Sequence, residues 1–243
     1  MTGASGGGTA RDPRQAGARN LPSVVPLTPS AVQADDATID AAQRAVVRVA
    51  TFHGPPGSPD DGGPPSRSGF GFVVDQNGIV LTAGRFVAGA RKVEVVLQDG
   101  RTLAATPVVI DPLNNVAVLQ VKAGQLRAVS MGSSGELRVG DRVITIGGPV
   151  IRGTVGTVRG TGAATGGDLA VDTRPTGQPH AGLPLLNVRG EVIGILTDAS
   201  QTGSGPAIEF AVPIDRAKRL LRNLGPFSYK AQGGALPSVT GNR

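Results

Sequence analysis

The 243-residue sequence predicts an all-β chain, built as two six-stranded antiparallel β-barrels with a short helix before them and another after. Three observations point there. Short apolar or alternating runs recur between Gly, Asn and Asp turns, about six before a connector and about six after it. Gly (37) and Pro (19) approach a quarter of the chain, which suits turns better than helices. No strand–helix alternation is present that would build a parallel sheet. Periodicity by itself leaves a β-sandwich open as the way those strands pack.

Taken in order, Met1 to about Ala34 is rich in Gly, Ala, Pro and Arg without periodicity. It reads as a disordered arm, because it buries too little apolar surface to offset the entropy of ordering. Asp36 or Thr38 caps a helix running to about Arg44, and Ala45–Ala50 is the first strand. A Pro/Gly/Asp loop covers Gly54–Ser66. Gly69–Asp75 and Gly78–Thr82 form a hairpin across Gln76–Gly78. Lys92–Leu97 alternates and turns at Asp99-Gly100 into Thr102–Ile110, and Asn115–Val121 closes the first half. After the connector come strands at Arg142–Ile146, Gly153–Arg159, Asp168–Asp172, Glu191–Thr197 and Ala207–Val212. Ile214–Leu224 is an amphipathic helix, stopped by Gly225-Pro226. The expected division is an arm over 1–36, a domain over 37–225 and a tail over 226–243. Within the domain the barrels cover about 45–125 and 138–213.

Composition narrows the chemistry. With no Cys there are no disulfides, thiolate metal sites or Cys nucleophile. The only histidines, His53 and His180, lack partners at metal-ligand spacing, so neither metal nor cofactor is expected. His53 reads as a structural or solvent-facing residue and His180 as a surface turn residue. No apolar run approaches the ~20 residues of a membrane span. Met1–Gly17 has no apolar segment of the kind a secretory leader carries, which leaves the compartment open and favours the cytoplasm. The net charge of +6 raises nucleic acid as a partner, yet no recognition motif and few aromatics accompany it.

Six ordered motifs carry a family resemblance over about Ala37–Leu224. Gly69-Phe70-Gly71-Phe72-Val73-Val74 is similar to G-S-G-F-I-I. Leu81-Thr82-Ala83-Gly84-Arg85-Phe86-Val87 is similar to L-T-N-N-H-V-V, and Asp111–Leu119 to D-P-x-T-D-I-A-V-L. Leu137–Asp141 matches L-x-V-G-D, and Glu209–Pro213 resembles G-F-A-I-P. Between the last two, Pro179–Asn187 resembles G-N-S-G-G-P-L-V-N. Together these resemble the trypsin-like serine proteases of the HtrA/Deg type, which implies the trypsin-like double barrel. No PDZ module is expected after the helix.

The resemblance places Arg85, Asn115 and Ala181 where the family carries its catalytic His, Asp and Ser. Alanine has no nucleophile, arginine keeps its proton and cannot act as a base, and asparagine is neutral. Pro179 stands where a backbone N–H would serve the oxyanion hole, and it has none to give. Leu183 replaces the Gly beside the nucleophile. From these residues the chain is expected not to be an enzyme, but a protein-binding or scaffold subunit. Its candidate contacts are Arg85, His180 and Leu183 at the cleft, with Arg216 and Arg219 on the last helix. An active serine endopeptidase with non-standard residues and a basic nucleic-acid-associated protein are the alternatives.

Overall fold

The computed structural model describes residues 36–54, 64–147, 151–161, 167–172, 180–201 and 208–224. The expected arm up to residue 35, Pro179, and the tail lie outside the described residues.

Helix α1 (Asp36–Gln43) leads into β1 (Val46–Phe52). The first barrel continues with β2 (Arg67–Asp75), β3 (Ile79–Ala83), β4 (Lys92–Val96), β5 (Thr102–Asp111) and β6 (Val116–Val121). It closes in the order β1-β2-β3-β6-β5-β4, every pairing antiparallel. The second barrel comprises β7 (Arg142–Gly147), β8 (Ile151–Gly160), β9 (Leu169–Val171), β10 (Pro184–Leu186), β11 (Val192–Gln201) and β12 (Ile208–Pro213). Its closed order is β10-β11-β12-β9-β8-β7, so each half of the chain is wound in the same way. Both barrels and the flanking helices agree with the sequence reading, and closure rules out the sandwich.

Local sequence explains the elements. The β2–β3 turn is tied by Asp75, whose carboxylate accepts the N–H of Asn77 at 2.7 Å while its carbonyl accepts that of Gly78. Strand β4 alternates between half-buried Lys92, Glu94 and Val96 and buried Val93 and Val95, as a strand with one inward face must. In β5 the register with β6 shifts between Pro107 and Val109, a bulge where a residue without N–H is tolerated. Helix α3 (Ile214–Asn223) buries Ile214 and Ala217.

Two features were not anticipated. A single-turn helix α2 (Gly84–Val87) follows β3, and Pro184–Leu186 is a strand. All three residues of β10 are buried, so it shows no alternation to read. The core runs continuously from one barrel into the other. Phe72, Leu81 and Val118 of the first share a buried cluster with Val143, Leu185 and Ile195 of the second.

Candidate functional site

The site is built at the ends of β3, β6 and β10. At Gly84 a Cβ would come within 2.8 Å of the backbone of Val116, so only glycine lets α2 start this close to β6. That approach sets Arg85 over Asn115. The Asn115 side-chain oxygen accepts the Arg85 N–H at 2.8 Å, and Asn115 is only 8% exposed. Its backbone has φ +52, a region asparagine enters more readily than most residues. The Arg85 side chain is exposed. Phe86 and Val87 anchor α2 in the core of the first barrel.

Ala181 comes from the other barrel. Its carbonyl accepts the Phe70 N–H at 2.9 Å, and the residue is 5% exposed within the first barrel's cluster. A Cβ placed on Gly69 would meet both the Phe86 ring and the Ala181 carbonyl at about 3 Å. Ala181 thus shares a small neighbourhood with α2, and through α2 with Arg85 and Asn115. Gly182 follows at φ +88, and its N–H donates to the Leu196 carbonyl at 2.7 Å.

The remaining candidates lie apart. Leu183 is 1% exposed and packs in the shared core instead of lining a surface. Arg216 is ion-paired with Asp168 at 2.7 Å, whereas Arg219 is exposed. Both lie on α3. His180 is not on the surface: its side chain is 21% exposed, with Nε2 3.7 Å from Glu209 Oε1. Glu209 was missed by sequence reasoning. Its signal was a carboxylate in an apolar strand, where the G-F-A-I-P run has glycine. Burial pushes the Glu209 carboxyl above its ordinary value, against the pull of the neighbouring imidazole.

A second missed group frames the opening. Arg67 of β2 lies over the Phe86 ring at 5.1 Å and donates to the Arg85 carbonyl at 3.4 Å. It also pairs with Asp198 of β11 at 3.3 Å, joining the barrels across the cleft. Beside it, β11 leaves its ladder. The β12 partner steps from Ala211, opposite Leu196, to Glu209, opposite Ser200. Pairing with β10 ends at Ile195. Asp198 and Ala199 are exposed within that gap. Among the described residues no group of three or more His, Cys, Asp or Glu is placed to hold a metal ion. No described helix is long and apolar enough to cross a membrane.

Comparison with known proteins places this geometry in context. Residues 69–195 match the family described as a trypsin-like peptidase domain. A protein named serine protease HhoA, from Synechocystis, is 38% identical over 70% of this chain and 44% of its own length. A protein named periplasmic serine endoprotease DegP-like, from Hahella chejuensis, is 34% identical over 65% of this chain and 35% of its own. Serine protease HTRA1 of Xenopus laevis is 32% identical over 65% of this chain and 36% of its own. The chain therefore spans less than half the length of these relatives. They overturn the expectation of a non-enzyme, because relatives at this identity are named serine proteases and point to a peptidase. The inference from Arg85, Asn115 and Ala181 concerned three side chains, while the similarity extends over the frame that carries them.

Proposed function

The chain belongs to the trypsin-like peptidases of the HtrA/Deg type, and from that premise we propose that it is a protein-binding or scaffold subunit, taking extended polypeptide between its barrels. The observation that carries this reading is the gap in β11 at Thr197–Ala199. There, Asp198 and Ala199 are exposed and stand outside both neighbouring ladders, while Thr197 is buried and its hydroxyl accepts the Ala199 N–H at 3.1 Å. An unpaired strand segment is a template for another strand, which main-chain hydrogen bonds hold and side-chain contacts select. Arg85 and the Arg67–Asp198 pair supply charge at the same rim.

The test is binding of fluorescent, extended casein-derived peptides to the whole chain. Asp198→Pro removes one N–H from the gap and is expected to weaken binding at least about tenfold, whereas Asp198→Asn should leave it within about twofold. Equal loss in both variants would assign the effect to the ion pair and overturn strand pairing. A second reading, hydrolysis of the bound polypeptide, is favoured by the relatives' names. Mass spectrometry of the same mixtures reads it directly, as new peptide termini or none.

A further inference from the structure

On the flank of the first barrel a groove of about 230 Å³ opens between the end of α1, the β4–β5 hairpin and the chain after β6. Its floor is apolar, with Val47, Val73 and Leu97 at the bottom and Leu126 at one side. Its rim carries three exposed arginines, Arg44, Arg101 and Arg127. One carboxylate answers them: Asp99 accepts the Arg101 Nε–H at 2.7 Å. No described carboxylate pairs with Arg44 or Arg127.

The walls are fixed rather than incidental. Gln98 donates its amide to the Val46 carbonyl at 2.8 Å and the Gln43 carbonyl at 3.4 Å, tying the hairpin to the α1–β1 junction. Opposite, the N–H groups of Leu126 and Val129 donate to the carbonyls of Gln76 and Val73, laying the connector along β2. Gln125 turns that connector at φ +58, a conformation that costs a non-glycine residue free energy. A groove held from both sides keeps its walls in place, which lowers the entropy lost on binding.

We propose that this groove binds an acidic segment of a partner polypeptide. A carboxylate would sit between Arg44 and Arg127, with a neighbouring aliphatic side chain lowered onto Leu97 and Leu126. The two uncompensated guanidiniums fix the sign of the ligand, and guanidinium is the cation best shaped for carboxylate. The volume falls below the roughly 300–1,000 Å³ of small-molecule pockets, so it takes one or two side chains. Nucleic acid would leave the apolar floor unused, and no aromatic ring lines the wall to stack a base.

The experiment uses the whole chain and a fluorescein-labelled Gly-Glu-Leu-Glu-Glu-Leu-Glu peptide, followed by anisotropy at near-physiological salt. Saturable binding is expected, weakened at least about tenfold in Arg44→Glu/Arg127→Glu. Arg138→Glu/Arg222→Glu, two exposed arginines away from the groove with the same change in net charge, should bind within about twofold of the unaltered chain. Replacing both leucines of the peptide by serine should also cost about tenfold, a readout that needs no protein variant. Failure to bind, equal loss in the two arginine pairs, or indifference to the leucines each overturns the proposal. So does an unlabelled oligothymidylate that competes as well as the peptide, which would assign the groove to phosphate.

Discussion

The side-chain oxygen of Asn115 accepts the backbone N–H of Arg85 at 2.8 Å, across 30 residues of sequence. One short side chain thereby holds the turn after β3 against the start of β6. The bond is part-buried, so the donor has no ready substitute in water. Asn115→Ala should therefore destabilise the protein by about 1–3 kcal/mol, since it strands the N–H and also places alanine at φ +52. Asn115→Asp keeps the acceptor and should stay close to the unaltered protein. Urea titrations of the three proteins read both values.

Gly182 is expected to tolerate no side chain. A Cβ there would sit 1.8 Å from the Phe70 carbonyl oxygen, which is backbone and cannot step aside, and φ is +88. Gly182→Ala should cost at least about 3 kcal/mol, seen as a large drop in melting temperature or loss of the folded state. A melting temperature within a few degrees of the unaltered protein would contradict this geometry.

Asp215 predicts an acid-side dependence. Burial opposes its charge, but hydrogen bonds from the Ser134 hydroxyl and N–H and from the Gly135 N–H outweigh it and hold the carboxyl below 3.8. A lowered folded value means that its stabilisation is present above pH 3.8 and lost as pH falls through the folded value. Asp215→Asn should be less stable by about 1–2 kcal/mol at neutral pH. That gap should narrow on acidification, in denaturation curves taken pH by pH.

Glu209 predicts the opposite slope. Its carboxyl is raised by burial above 4.5, so its contribution is greatest below that pH and is lost as pH rises through the folded value. Glu209→Gln should therefore gain stability relative to the unaltered protein between about pH 4.5 and about pH 7.5. Guanidinium midpoints at the two ends suffice, and a difference that stays flat or falls would count against the raised carboxyl.

These pairs show what could be read from the chain itself. Val46–Phe52 and Val116–Val121 announce themselves as strands because their Val-rich runs are bounded by turn residues. The β2–β3 turn was legible from Asn77-Gly78, since its bonds are local. An acidic residue in the first turn of α3 was equally visible, and favourable beside a helix N-terminus. That Asp215 gathers Ser134, 81 positions away, was not, because only barrel closure brings them together. Glu209 and His180 fall in the same class. Strand β10 and helix α2 were hidden for a different reason: neither is long enough for a pattern to repeat, and β10 is buried throughout.

Both terminal helices reach the barrel they do not adjoin in sequence. Helix α1, which precedes the first barrel, packs on β7 and places Ala42 among residues of the second barrel. Helix α3, which follows the second, packs on β11 and β12 of its own barrel, also reaches β6 of the first, and receives the connector through Asp215, Ser134 and the Lys218 bond to the Gly132 carbonyl. During synthesis the first helix thus waits for a docking surface made a hundred residues later, and the first barrel waits for the last helix. Domains that finish one at a time as they emerge are the usual pattern. This chain defers that independence: a protease cut in the connector would leave two fragments clasped, each holding a piece the other needs.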